Sequence, residues 1–221
     1  MNPPIIDKNQ VVQIVTQSRL VAIVRLDDLS TAHELVQAML AGGIRAIEFT
    51  LTNINTPLVV ADLLKKVPQF SDGTATLGIG SVRRTDEAKL AIACGAQFLV
   101  SPVIKESILK EATQARVACM PGAFTPTEIL SAHELGADIV KVFPAKGLGP
   151  GFISDVLAPM PFLKLMPTGG VDLQNMPAYF SAGAVAVGMG GQLLSSKAVA
   201  ARDWPAIVKA SLAHSQAARK V

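Results

Sequence analysis

The sequence predicts an α/β fold, a single (β/α)8 barrel of the TIM type with an N-terminal helical segment, formed as one domain from residues 1–221. Three observations carry that expectation. Short β-branched or apolar runs recur eight times, separated by amphipathic, alanine-rich stretches, which is the pattern of repeated βα units. Glycine punctuates the helix ends in one recurring form, Ala41-Gly42-Gly43, Cys94-Gly95-Ala96, Leu135-Gly136-Ala137 and Ala182-Gly183-Ala184, as a left-handed C-terminal cap ahead of each new strand requires. The composition is 50% hydrophobic but only 5% aromatic, so the core is aliphatic, as parallel strands covered by helices need. Eight units in 221 residues favour a closed parallel barrel over a doubly wound open sheet.

The first 18 residues mix Pro3-Pro4, Asp7, Lys8 and Asn9 with short apolar pieces and lack the continuous apolar stretch of a signal peptide. Strands are expected over 20–24 (Leu-Val-Ala-Ile-Val), 46–50 (Ala-Ile-Glu-Phe-Thr), 76–78, 98–101, 118–121, 139–143, 163–166 and 184–187. Each is a short run rich in branched or aromatic residues and bounded by turn formers. Helices are expected between them over 31–40, 57–67, 85–94, 104–114, 126–135, 152–158 and 173–182, with 203–218 closing the chain. No apolar segment is long enough to cross a membrane.

The formal charge of +3 and pI near 9.0 are mild, and no run of five or more like charges occurs, so nucleic acid is not an expected partner. A small anionic ligand is compatible with this balance. Cys94 and Cys119 have no C-x-x-C spacing and no nearby histidine cluster, which argues against a metal site or a disulfide framework and for a reduced, cytoplasmic setting. Both cysteines are read as small core hydrophobes.

In a βα barrel the active site gathers at the C-terminal ends of the strands, whatever the distance in sequence. Lys141 is a lone charge in Ile139-Val140-Lys141-Val142-Phe143, where low dielectric favours the neutral, nucleophilic amine. The bland alternative is an edge lysine whose head reaches solvent. Glu48 is a second lone charge, in Ala46-Ile47-Glu48-Phe49-Thr50; its alternative is a structural ion pair. If both point inward, they form the amine and carboxylate that imine chemistry needs, one as nucleophile and the other moving protons. Arg25 ends the first strand with a planar fork suited to a carboxylate or phosphate, or else to an ion pair with Asp27 or Asp28. Thr168-Gly169-Gly170 and Gly188-Met189-Gly190-Gly191 place glycines after the seventh and eighth strands, where such barrels commonly bind phosphate through backbone N–H groups. Ser81 and Thr168 can offer hydroxyls to the same ligand. Pro102, Pro121 and Pro144 shape the loops at the mouth. Gly78-Ile79-Gly80-Ser81 lacks the third glycine of a dinucleotide loop, and that reading is rejected. His33, His133 and His214 fall in expected helices, away from the strand ends.

Six segments in order, Gly43-Ile44-Arg45-Ala46-Ile47-Glu48-Phe49-Thr50-Leu51, Gly78-Ile79-Gly80-Ser81-Val82, Phe98-Leu99-Val100-Ser101-Pro102, Met120-Pro121-Gly122, Val140-Lys141-Val142-Phe143-Pro144-Ala145 and Pro167-Thr168-Gly169-Gly170, resemble the 2-keto-3-deoxy-6-phosphogluconate and 4-hydroxy-2-oxoglutarate aldolases. The resemblance runs from about residue 20 to about residue 208. It implies a class I aldolase with no cofactor and no metal, and usually a homotrimer. It implies a Schiff base at Lys141, acid/base work at Glu48, and release of pyruvate and glyceraldehyde 3-phosphate. Ser81, Thr168 and Pro102 would surround the pyruvate half, while Gly169, Gly170, Gly190 and Gly191 would hold the distal phosphate. Members of the phosphogluconate type carry a carboxylate-gripping arginine shortly after the glutamate, where this chain has Thr52 and Asn53. Other members lacking it have an arginine ending the first strand, an arrangement that Arg25 matches. Gln192 stands where some relatives have serine. Substrate alternatives are the galactonate-derived phosphate ester and unphosphorylated 4-hydroxy-2-oxoglutarate. Two other classes are a phosphate-binding barrel isomerase or epimerase and a non-catalytic sugar-acid sensor.

Overall fold

The computed structural model describes residues 6–220; Pro3-Pro4 and Val221 lie outside them. Helix α1 (Lys8–Ser18) leads into β1 (Leu20–Val24), α2 (Ala32–Ala41), β2 (Ala46–Thr50), α3 (Thr56–Lys66), a one-turn α4 (Pro68–Ser71) and β3 (Thr76–Gly80). Then follow α5 (Thr85–Ala93), β4 (Phe98–Val100), α6 (Glu106–Ala115), β5 (Ala118–Met120), β6 (Gly122–Ala123), α7 (Pro126–Glu134) and β7 (Val140–Val142). A 3₁₀ turn (Ala145–Gly147), α8 (Gly149–Leu157), β8 (Leu165–Pro167), α9 (Met176–Ser181), β9 (Val187–Met189), α10 (Ser196–Ala200) and α11 (Trp204–Arg219) complete the order.

Every paired strand is parallel, in two ladders with orders β5-β4-β3-β2-β1-β9 and β6-β7-β8. The ladders share one stretch of chain. Pro121 separates β5 from β6: it has no N–H to give a ladder, yet its carbonyl accepts from the Lys141 N–H at 2.9 Å. An isolated parallel bridge, Thr168 with Gly188, links the ends of β8 and β9.

Period-two alternation assigns the two faces of the sheet. Ala22, Ile47, Leu77, Ile79, Leu99, Val140, Val142 and Leu165 pack outward in one buried cluster with the helices. Val21, Ala46, Phe98, Val100, Ala118, Met120, Ile139, Met166 and Ala186 form a second cluster, to which α1 contributes Val11 and Val15. Members of that second cluster come from both ladders, so the sheet curls around it, and α1 caps the end at which the strands begin. This is an α/β fold with a curled parallel sheet.

Four helix exits carry the expected glycine. Gly43, Gly95, Gly136 and Gly183 all have φ between 86° and 98°. At the first exit, Gly43 N–H donates to Leu40 O and Ile44 N–H to Met39 O, both at 3.0 Å, the paired bonds of a Schellman turn. Some boundaries move. The strand expected at 184–187 is Val187–Met189, because Ala184 N–H is still held by Tyr179 O at 3.1 Å in the preceding exit. The strand expected at 163–166 is Leu165–Pro167, with Leu163 N–H turned back to Met160 O at 3.2 Å. The helix expected at 173–182 shortens to Met176–Ser181, since the Asp172 carboxylate accepts from Gln174 N at 3.0 Å and Asn175 N at 2.8 Å in a turn of its own. Among the described residues no helix is long and apolar enough to cross a membrane.

Val15 is fully buried where α1 meets the inner cluster. Val15→Ala should lower the unfolding free energy by about 1–3 kcal/mol, read from the urea midpoint at unchanged slope.

Candidate active site

Lys141 sits between Val140 and Val142, both in the outer cluster, so alternation turns its side chain inward with Ile139. Glu48, between Ile47 and Phe49, turns inward with Ala46 by the same rule. Glu48 is 2% exposed and Lys141 7% exposed. Burial raises the Glu48 carboxyl above the ordinary glutamate range, opposed by the positive charges of Lys141 and Arg25. Burial likewise pulls the Lys141 amine below the ordinary lysine range, with the Glu48 charge opposing and the Arg25 charge adding to the fall. The two groups therefore act on each other across the interior, each displaced toward its neutral form. The Lys141 ammonium also lies 4.8 Å from the Phe143 ring centroid.

Three interior glycines make the room. Gly78 pairs with Glu48 across β2 and β3, and its missing side chain admits the Phe98 ring. A Cβ at Gly80 would overlap the Glu48 carboxylate, and one at Gly188 would overlap the Thr168 hydroxyl. The sequence places Gly78 at the end of an expected strand and Gly80 and Gly188 just past expected strands, without assigning any of them this space-making part. Glycine at alternate positions of an inward-facing strand face, as at Gly78 and Gly80, was the available signal.

The remaining residues lie at the same, C-terminal, ends of the strands. Arg25 directly follows β1 and is exposed. Among the described residues no carboxylate forms an ion pair with it; Asp28, one of the expected partners, is engaged by Ser30 N at 2.8 Å and Ser30 Oγ at 3.0 Å. Thr52 is exposed beyond β2, and its hydroxyl shares a 2.8 Å hydrogen bond with Thr50. Ser81 follows β3 with φ of 61°, an unusual conformation for a non-glycine residue and one that accompanies functional sites. Pro102 follows β4, half-buried, with its carbonyl against Gly122.

Thr168 is buried just past β8. Gly169 and Gly170 have φ of 87° and 85°, and no acceptor among the described residues takes their N–H groups. Because Thr168 bridges Gly188, Gly190 and Gly191 lie at a similar height on the neighbouring strand end. Such a cluster of backbone donors suits an anion. Lys146, missed by sequence reading, packs its Cβ against Gly170, 2.6 Å from where a Cβ would stand there. It is exposed and has no ion-pair partner among the described residues.

Other candidates stay outside. His33, His133 and His214 lie on α2, α7 and α11. Burial, with the Asp138 carboxylate adding, pushes the Cys119 thiol up to about 12, so it behaves as a core residue; Cys94 is half-buried. No group of three or more His, Cys, Asp or Glu among the described residues could hold a metal ion.

A buried amine and carboxylate facing inward from the middle of two parallel strands are groups that an imine-forming lyase can use. A family model described as KDPG and KHG aldolase matches residues 11–210, and the chain belongs to that family of aldehyde-lyases. It is 32% identical over 194 residues to the 2-dehydro-3-deoxy-phosphogluconate aldolase of Treponema pallidum (strain Nichols), covering 87% of this chain and 90% of that one. It is 31% identical over 175 residues to the probable 2-dehydro-3-deoxy-6-phosphogalactonate aldolase of Rhizobium meliloti (strain 1021), covering 79% and 81%. A solved structure described as native KDPGal superposes with TM-score 0.82 at 26% identity, covering 91% of this chain and 94% of that one.

Gly80→Ala would put a methyl group in the space of the Glu48 carboxylate. If that carboxylate moves protons in turnover, kcat should fall roughly 10²-fold or more, while circular dichroism shows a folded chain.

Proposed function

We propose that this chain is a class I aldolase that reversibly cleaves 2-keto-3-deoxy-6-phosphogluconate to pyruvate and glyceraldehyde 3-phosphate. The observation that carries the proposal is the pair of inward, buried groups, with Lys141 pulled down and Glu48 pushed up by the same burial. The Lys141 lone pair attacks the keto carbon, and the carbonyl oxygen gains a proton to give a carbinolamine. Loss of water leaves a protonated imine. Glu48, directly or through a water, takes the proton of the C4 hydroxyl as the C3–C4 bond breaks; the bonding electrons move into the imine, giving an enamine, and the aldehyde leaves. Protonation of C3 and hydrolysis of the imine release pyruvate and restore the amine.

Arg25, with Thr52 close by, would receive the substrate carboxylate, while Ser81, Pro102 and Thr168 would surround the pyruvate half. Gly169, Gly170, Gly190 and Gly191 would hold the distal phosphate through backbone N–H groups, with Lys146 adding a positive charge beside Gly170. That cation, with no ion-pair partner among the described residues, supports the phosphorylated substrate over 4-hydroxy-2-oxoglutarate. The phosphogalactonate ester is a second reading, favoured by the names of the Rhizobium relative and of the superposed structure. An isomerase or epimerase would leave Lys141 as a mere charge.

The same proposal includes one domain, closure of the two ladders into an eight-stranded barrel, a homotrimer and a cytoplasmic setting. Closure is supported by the stretch shared through Pro121 and by the Thr168–Gly188 bridge. The trimer is supported by family resemblance.

Borohydride reduction with pyruvate should label Lys141 alone, as read by mass spectrometry; a label elsewhere, or none, would sink the imine. Labelling rate should rise with pH through the Lys141 pKa, below the ordinary lysine range. Arg25→Ala removes a cation that lowers that pKa, so its limb should move to higher pH; Glu48→Gln removes an anion that raises it, so its limb should move to lower pH. Lys146→Ala should raise KM roughly tenfold for the two phosphorylated acids and leave KM for 4-hydroxy-2-oxoglutarate unchanged.

A further inference from the structure

Polar groups at the end of β2 and in the loop after it are engaged with the backbone that carries Arg25. On one side of Arg25, the Thr50 hydroxyl donates to Val24 O at 3.3 Å. On the other, the Asn53 amide donates to Leu26 O at 3.2 Å and to Asp27 O at 2.7 Å. The other end of the same amide, Oδ1, accepts from Asn55 N at 2.9 Å, which anchors Asn53 in its own loop. Its partners across the gap are 26 and 27 residues away in sequence, so Asn53 is a tertiary clamp between two loops.

The guanidinium on that clamped backbone has no ion-pair partner among the described residues. It is exposed, yet its charge is felt at both Glu48 and Lys141. A long side chain loses rotamer freedom when it grips a carboxylate, and a fixed backbone origin limits what more must be lost. We infer that Asn53 is a positioning residue: it holds the backbone of residues 24–27 so that Arg25 meets the carboxylate of the 2-keto acid while the keto carbon lies at Lys141. The inference rests on the role proposed for Arg25. Thr50 supports the same backbone from the other side, but its hydroxyl is shared with Thr52, which leaves Asn53 as the cleaner probe.

The protein is titrated with pyruvate under borohydride, and label at Lys141 is read by mass spectrometry. In Asn53→Ala the pyruvate concentration for half-maximal labelling should rise roughly tenfold, with the maximal rate kept within about twofold. Asn53→Asp keeps the acceptor for Asn55 N–H and removes both donations, so it should show the same rise should the alanine variant fold poorly. Added to Arg25→Ala, either change should cause no further loss, because both act through one group. Acetone, a carbonyl without a carboxylate, should label Lys141 in the Asn53 variants at the concentration the unchanged protein needs. An unchanged pyruvate requirement, losses that multiply in the double variant, or an equal loss with acetone would each overturn the inference. Arg25→Ala with a normal pyruvate requirement would instead remove the Arg25 role and this inference with it, and no label at Lys141 in the unchanged protein would remove the imine.

Discussion

Burying a lysine and a glutamate inside an aliphatic sheet is the constraint around which the rest of this molecule is arranged. Taking both charges from water is costly, and their attraction in the interior offsets the cost only partly. The directions at the two sites express that balance: desolvation dominates at each, and the mutual charge opposes it. In the proposed mechanism an arrangement that is a weak source of stability is a source of chemistry, since burial moves the amine toward its nucleophilic form and raises the proton affinity of the carboxylate. Stability has to come from elsewhere, and the two aliphatic clusters on either side of the sheet supply it.

Strand parity makes this separation of duties workable. Val140 and Val142 bury themselves against the helices while Lys141 between them faces inward, and Ile47 and Phe49 do the same around Glu48. A register slip of one residue would exchange each charge for an aliphatic side chain and strand it under the helices. The inner face is filled closely enough that space for the polar side chains comes from missing ones: Gly80 backs Glu48 and Gly188 backs Thr168. At the opposite end α1 packs Val11 and Val15 into the inner cluster.

What could be read from the sequence follows from these same facts. Lys141 and Glu48 were legible because a lone charge in a short apolar run has few structural explanations, and the helix exits were legible because Gly43, Gly95, Gly136 and Gly183 each take a conformation that disfavours other residues. Gly80 and Gly188 fall just past the strands expected at 76–78 and 184–187, and their space-making part was not legible, since the need for empty space depends on a side chain arriving from a different strand. Lys146 escaped notice because its neighbour, Gly170, is distant in sequence and meets it only after the sheet curls. Asn53 was noted only as the absence of an arginine; its hydrogen bonds to Leu26 and Asp27 are tertiary and leave no local pattern. Boundaries slipped at 163–166 and 184–187, where a turn or helix exit holds the backbone before pairing can start.

Arg25 gives the proposed mechanism an order of events. In the free site its charge adds to burial in lowering the Lys141 pKa, favouring the neutral nucleophile before substrate arrives. Because Arg25 is exposed, water and salt screen that effect, and it stays modest. A carboxylate that enters and pairs with the guanidinium cancels most of its field at Lys141. The protonated imine that follows is positive at the same nitrogen, and it now forms beside a neutralised arginine with Glu48 still opposite. Repulsion that favours the neutral amine in the free site is thus withdrawn by the substrate itself before the positive imine it would have opposed.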